Sequence, residues 1–213
     1  PMWVSMGIGV SALLFFTGTL PLSLLGETLF EGMDAFALLA VPLFILTGDA
    51  LVRTGLSNKL LSVAEATAGS FRSGFGTSTV LGCGFFSCIS GSDAAGCASV
   101  GRMTIDRLVS SGYPRAYAAA LVASGACTGI LIPPSIAYIV IGLVLGVSTA
   151  TLFVAAVIPG TLILLSIMLT NVFVNRRRGY ENAGKPFLFK NWLDAVWDGR
   201  YALMIPFIIL GGI

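Results

Sequence analysis

The sequence predicts an all-α integral membrane protein containing a re-entrant helical hairpin and a broken helix. Three observations lead there. Of 213 residues, 56% are hydrophobic and only 10% charged, with mean hydropathy +0.93, whereas a soluble domain carries about 25% charged residues. Apolar runs recur near the roughly 20-residue length that a helix needs to cross a hydrocarbon core of about 30 Å. Two of those runs are interrupted at membrane depth, by "SGSD" at residues 90–93 and by "GILIPPS" at 129–135.

The first span is expected over residues 3–25, followed by an acidic turn with Glu27, Glu31 and Asp34. Asp34 is placed to cap the next helix, because a carboxylate can accept from its free N–H groups. The second span covers residues 35–52. Near its end Asp49 stands four residues before Arg53, the spacing of a local ion pair on one helix face.

In residues 56–71, Leu56, Leu60, Leu61, Ala64, Ala68 and Phe71 approximate one helical face, interrupted by Lys59 and Glu65, with Arg72 just beyond. That pattern reads as an amphipathic helix lying at the membrane interface. Residues 75–89 are apolar and Gly-rich, 94–101 are small and apolar, and charges begin at Arg102. Each half is short for a span, so the two predict a hairpin that enters and leaves on one side.

Residues 116–146 are apolar over 31 positions, about 46 Å as one helix at about 1.5 Å per residue. Pro133 and Pro134 interrupt them, removing two donors and breaking helix geometry, so a broken helix is expected. Another span covers 151–175 and ends in Arg176, Arg177 and Arg178. Trp192 and Trp197 among charges then predict a second interfacial helix, with a last span beginning near Tyr201. Both ends of the chain lie in apolar sequence, and a longer parent protein is expected.

Charge placement supports the hairpin. If residues 75–101 re-enter, all 12 Lys and Arg residues fall on one side, which the positive-inside rule makes cytoplasmic. The opposite loops, near 26–34 and 146–150, carry none. A full crossing would divide the basic residues between both sides.

Several classes are excluded or disfavoured. Histidine is absent, which removes imidazole relays and histidine metal sites. Cys83, Cys88, Cys97 and Cys127 lack metal or redox spacing and read as small packing residues. No Ser/His/Asp set, Walker loop or zinc motif is present, and no nucleic-acid reader motif. The chain is not expected to be an enzyme.

Irregular backbone at membrane depth is tolerated where it is buried in protein or lines a watery cavity, and broken helices near the midplane are where many secondary transporters hold substrate and ions. A half-helix starting near Asp93 offers free N–H groups to an anion. The half-helix ending near Ile89 leaves carbonyls which, with the hydroxyls of Ser87, Ser90 and Ser92, suit a hard cation such as Na⁺. Gly91 permits the turn. Thr128, Gly129 and Ser135 offer the same chemistry at the second break. Gly82, Gly84, Gly96 and Ala98 read as close-packing residues. Asp93 has three open roles: capping the second half-helix, ligating a cation, or carrying a coupling proton.

On "EGMDAFALLAVPLFILTGDALVRTGL", "FFSCISGSDAAGCASVG", "GYPRAYAAALVASGACTGILIPPSIAYIVIGLVLGVS" and "LFVAAVIPG", the chain resembles the large permease subunit of the tripartite ATP-independent periplasmic (TRAP) transporters. The resemblance implies Na⁺-coupled uptake of an organic acid such as a dicarboxylate or sialic acid. It implies a periplasmic substrate-binding protein and a small four-helix membrane subunit as partners, in the bacterial inner membrane. It also implies the first of two inverted repeats of an elevator-type transporter. Residues 1–55 are then scaffold spans, 56–72 an interfacial arm, and 73–150 the transport region, with the hairpin at 75–106 and the broken helix at 116–146. Residues 151–178 become a scaffold span, 187–200 a second arm, and 201–213 the start of the second repeat.

Carried over by motif, Ser90, Gly91 and Ser92 form the hairpin tip and residues 129–135 the facing break. Together with the hydroxyls of Ser87 and Thr128, the expected ion ligands are Ser87, Ser90, Gly91, Ser92, Thr128, Gly129 and Pro133, with Na⁺ at Ser90 and Ser92. The substrate side falls to Ser90, Ser92, Asp93, Pro134 and Ser135. Asp93 stands where that family favours a small or hydroxyl-bearing residue. The alternatives are a stand-alone carboxylate symporter of the same superfamily and a non-transporting membrane scaffold.

Overall fold

A computed structural model describes residues 2–18, 27, 30, 34, 36–70, 73–181 and 188–211. Among them every regular element is helical. Glu31, Phe71, Arg72, Lys185 and the expected span residues 19–25 lie outside the described residues. The chain divides into two units, Pro1–Leu39 and Ala40–Ile213.

The first unit holds α1, Met2–Phe16. From Met6 onward its side chains are almost all exposed, and Ile8, Leu13 and Phe16 are large and apolar. A helix that is apolar without a polar face suits lipid or another apolar surface rather than water. Ser11 donates back to the Gly7 carbonyl at 2.8 Å, and Thr17 to Leu13 at 2.9 Å, so these hydroxyls need no water. The helix ends earlier than the sequence pattern suggested, at a turn through Thr17 and Gly18. Gly18 has φ +68°, a left-handed conformation that other residues rarely adopt. A 3-10 turn, Phe36–Leu39, precedes the next α-helix; residue 35, between it and Asp34, lies outside the described residues, and so does the cap expected of Asp34.

The second unit begins with α2, Ala40–Arg53, and α3, Leu56–Ala68, bent 76° apart at Thr54-Gly55. Next come the hairpin helices α4, Gly74–Ser90, and α5, Asp93–Ser110. The broken helix is α6, Arg115–Ala126, a 3-10 turn at Cys127–Gly129, the Pro133-Pro134 segment, and α7, Ile136–Leu145. α8, Thr149–Arg178, is the one described helix long and apolar enough to cross a bilayer by itself, and α9, Phe189–Gly211, closes the described chain.

α4 is the central element. Thirteen of its 17 residues are buried, and it contributes to all three apolar clusters. Cys83 and Phe86 meet Val100, Leu108 and Val122 of α5 and α6. Ile89 meets Leu51, Leu60 and Ala202 of α2, α3 and α9. Val80 meets Leu121, Ile132 and Leu164 of α6, the break and α8. Lipid tails are as apolar as Leu, so helix association in a bilayer rests on close packing rather than on water exclusion. α4 achieves that with small residues: a Cβ at Gly82 would lie 3.0 Å from the Leu61 side chain, and one at Gly84 2.8 Å from Leu164. Ala98 and Cys127, both read as small packing residues, are exposed.

The helices expected at the interface pack against each other, and α3 keeps the amphipathic pattern expected of it, with Asn58, Lys59, Ser62 and Thr67 exposed. α3 is a packed helix: Ser57 and Val63 are buried along with Leu60, Leu61, Ala64 and Ala68. Its added contacts come from α9, where a Cβ at Gly199 would lie 2.8 Å from Val63. α9 itself runs unbroken through residue 201. The expected boundary there rested on charge, but charge alone does not interrupt a helix without Gly-rich or Pro geometry.

Candidate functional site

Ser90 ends α4, Gly91 turns the chain, and Ser92 starts α5. Gly91 has φ +58° and its amide donates to the Ser87 carbonyl at 3.0 Å, a left-handed C-cap suited to glycine. Ser92 is extended and its hydroxyl accepts from the Ala95 amide at 3.5 Å. Ser92 therefore fills the N-cap position that the sequence reading offered to Asp93, and Asp93 is the first helical residue. Placing the acid inside the first turn frees its carboxylate from capping duty.

The two irregular segments meet. The Gly91 carbonyl accepts from the Ile136 amide at 3.5 Å. A Cβ on Gly91 would sit 2.7 Å from the Pro134 carbonyl oxygen, so the hairpin tip touches the start of α7 backbone to backbone. On the neighbouring side, a Cβ on Gly129 would sit 2.7 Å from Asp93 Oδ1 and 3.1 Å from Ser87 Oγ. Thus Ser87, Asp93 and Gly129 converge beside the junction of Gly91, Pro134 and Ser135. α2 closes on the same tip, where a Cβ at Gly48 would lie 3.3 Å from Ser90 Cβ.

The polar atoms here divide into satisfied and orphaned. Ser87 donates to the Cys83 carbonyl at 2.7 Å, and Thr128 to Gly125 at 2.7 Å. Both hydroxyl oxygens keep acceptor capacity. Ser90 Oγ lies 3.4 Å from both the Ser92 amide and carbonyl. The Thr128 carbonyl accepts from Leu131 at 3.0 Å and Ile132 at 2.8 Å. Pro133 and Pro134 are buried and contribute carbonyls but no amide donors. Asp93 Oδ1 and Ser135 Oγ are buried with no partner among the described residues. An unmet buried polar atom costs about 1–3 kcal/mol, more for a charged group, so two at one junction mark a place that a ligand can complete. Of the residues singled out in the sequence, Gly91 meets Pro134 and Ser135, and Gly129 meets Asp93 and Ser87; Ser90, Ser92, Thr128 and Pro133 adjoin these in the chain. Their oxygens suit a hard monovalent cation, and the free end of α5 suits an anion.

Sequence reasoning missed Gly48 and a second polar cluster at the other end of α4. Asn171 and Asn175 of α8 are fully buried. Asn175 donates to Ser73 Oγ at 2.7 Å and to the Glu181 carbonyl at 3.0 Å, and accepts from the Glu181 amide at 2.9 Å. The Glu181 carboxylate accepts from the Phe75 amide at 3.1 Å and from Tyr113 Oη at 3.1 Å. Asn171 donates to Thr77 at 3.3 Å and accepts from Tyr117 at 3.2 Å. Glu181 thereby caps α4 with negative charge. Burial, and then the Glu181 carboxylate, hold the Tyr113 phenol above its ordinary pKa, so it stays a donor. The signal was an Asn pair four residues apart in an otherwise apolar span. Nearby, Arg107 pairs with Glu65 at 2.7 Å and lies 4.5 Å over the Phe75 ring. The Asp49–Arg53 pair forms as expected, at 2.6 Å.

The family profile described as "Tripartite ATP-independent periplasmic transporter, DctM component" matches residues 1–213. Relatives include the isethionate TRAP transporter permease protein DctMQ of Oleidesulfovibrio alaskensis, 34% identical over all of this chain and 34% of the relative. The C4-dicarboxylate TRAP transporter large permease protein DctM of Pseudomonas aeruginosa is 37% identical over 87% of this chain and 43% of the relative. The sialic acid TRAP transporter permease protein SiaT of Haemophilus influenzae is 31% identical over all of this chain and 35% of the relative. The chain thus spans between a third and a half of the length of these proteins. With the profile matched from end to end, this chain belongs to the DctM component family of the tripartite ATP-independent periplasmic transporters, a family of membrane transport permeases.

Proposed function

We propose that this chain forms the first repeat of a permease that couples inward Na⁺ flow to uptake of an organic acid. The acid is delivered by a periplasmic binding protein, and the chain works with a small membrane subunit, separate or fused. The observation that carries the reading is the junction of the two tips, where Asp93 Oδ1 and Ser135 Oγ are buried and unpartnered beside the hydroxyls of Ser87 and Ser90. Na⁺ is a transported species here. Ser87, Ser90, Ser92, Thr128 and the carbonyls of Gly129 and Pro133 are the oxygens offered to it. The α5 N-terminus with Ser90, Ser92 and Ser135 faces the carboxylate of the solute, Pro134 fixes the wall opposite Gly91, and Asp93 contributes negative field to the cation.

In this reading the hairpin re-enters from the cytoplasmic face of the bacterial inner membrane. All 12 basic residues then face the cytoplasm. The tip-bearing elements move as one body in an elevator, so that the junction alternates between the two sides. Relatives are named for isethionate, C4-dicarboxylates and sialic acid. Their shared feature is an acidic group on a small polar solute, which is the class proposed for this chain. The test is uptake by the full-length permease, reconstituted with its membrane and binding-protein partners. Imposing an inward Na⁺ gradient should raise initial uptake at least tenfold over a K⁺ gradient. Equal uptake under both gradients would refute the coupling.

A further inference from the structure

The proposed site explains the tips but not a groove of about 580 Å³ that leads away from them between α2 and α5. Ser90 and Ser92 line one end of it. Along α5 it is lined by Ser99 and Arg102, and from the other wall by Asp49 and Asn58. From the cap residue Ser92 the lining continues along α5 through residues 95, 98, 99, 102 and 103, a broad stripe of one helix face. Arg102 therefore stands about 15 Å from Ser92 along that face, at about 1.5 Å per residue.

The charge balance of the groove is asymmetric. Asp49 is neutralised by Arg53 at 2.6 Å. One turn beyond Arg102 on the same face, Asp106 is paired with Arg115, and the adjacent Arg107 is paired with Glu65. Arg102 is exposed and has no ion pair among the described residues. The groove thus carries one uncompensated positive charge at the end remote from the tip, with hydroxyl and amide donors between.

We infer that this groove is the passage by which the anionic solute leaves the hairpin tip for the cytoplasm, and that Arg102 is the cation that draws it out. The inference rests on the transport reading for the solute, but its physical content, a watery anion-selective groove, is testable without transport. An acid held by the helix terminus and serine hydroxyls at the tip meets a stronger single charge as it moves along α5. Arg102 acts on the solute in transit and is absent from the tip, so its removal should slow release while sparing Na⁺ binding.

The experiment uses the full-length permease complex with its native cysteines replaced by alanine and Ser99→Cys introduced. In inside-out vesicles, the introduced thiol is titrated with a sulfonate-bearing methanethiosulfonate and with its trimethylammonium counterpart. Residue 99 lies one turn from Arg102, and a unit charge at about 5 Å in water changes a like or unlike encounter about fourfold. The anionic-to-cationic rate ratio should therefore fall about tenfold in Arg102→Gln and persist in Arg102→Lys. Initial uptake of whichever acid the parent carries, among succinate, isethionate and sialic acid, should fall several-fold in Arg102→Gln and recover in Arg102→Lys. An introduced thiol unreactive from the cytoplasmic face, or a ratio unchanged by Arg102→Gln, overturns the passage. Loss of Na⁺-driven uptake in the parent itself would instead strike the transport reading, and the labelling ratio would still judge the groove.

Discussion

Gly91→Ala separates the tip contact from ordinary backbone strain. Gly91 has φ +58°, where an alanine costs about 1–2 kcal/mol. The new Cβ would also lie 2.7 Å from the Pro134 carbonyl oxygen and 3.3 Å from the Ile136 amide nitrogen. Ordinary contact begins near 3.5 Å, and both neighbours are backbone, so the tips must part by about an ångström rather than swing a side chain aside. That displacement breaks the 3.5 Å bond between Gly91 and Ile136, a further loss of about 1 kcal/mol. Gly146 supplies the control. It has φ +65°, yet no atom lies within 4 Å of its hypothetical Cβ. Gly146→Ala should therefore lose about 1–2 kcal/mol of stability and keep its uptake per folded molecule. Gly91→Ala should lose about 2–3 kcal/mol and at least 90% of initial uptake per folded molecule, the tenfold of about 1.4 kcal/mol at the site. The assays are chemical denaturation in micelles and Na⁺-driven uptake in proteoliposomes. Equal behaviour of the two variants in both assays would show that the tip junction carries no function.

Asp93→Asn should keep the fold and weaken Na⁺ activation of uptake about tenfold, because the amide removes the charge but keeps the shape; an unchanged Na⁺ dependence would reduce Asp93 to a structural residue. Asn175→Leu should destabilise the protein by about 2–4 kcal/mol, since it strands Ser73 and both backbone groups of Glu181; a denaturation midpoint like the parent's would refute the buried network. Tyr113 gives a pH signature. Its folded pKa is raised by burial and by Glu181, so the folded state holds the proton longer than the unfolded chain. The resulting stability is complete below the ordinary phenol value of about 10 and is lost as pH rises through the folded pKa. Tyr113→Phe should flatten that alkaline decline, as read by thermal unfolding between pH 8 and about 11.

The hairpin was legible because a polar, glycine-bearing turn has no stable place inside one membrane helix. Its first helix ends at Ser90, next to the expected Ile89, and the second starts at Asp93. The break at Pro133-Pro134 was legible from missing donors and ring sterics alone. What local sequence could not give is which small residues meet across the fold. Gly129 faces Asp93 and Gly48 faces Ser90, pairings 36 and 42 positions apart that depend on tertiary packing. The cap of α5 stayed open in the sequence because Ser and Asp are both strong N-cap residues; the turn at Gly91 gives it to Ser92. The amphipathic pattern of α3 was legible in its apolar periodicity, but not that Gly199 of α9 opens room for Val63 to pack there. The Asn171 and Asn175 cluster was overlooked because single polar residues barely perturb an apolar average, although their four-residue spacing places them on one face.

The most direct test of the central claim is Na⁺ binding by the purified full-length permease carrying Ser90→Ala with Ser92→Ala, read by calorimetry alongside Na⁺-driven uptake. If the meeting tips form the coupled site, the double variant elutes and unfolds like the parent. It should lose at least tenfold in Na⁺ affinity and nearly all uptake. A double variant that binds Na⁺ and transports as the parent does would place the site elsewhere and contradict the account.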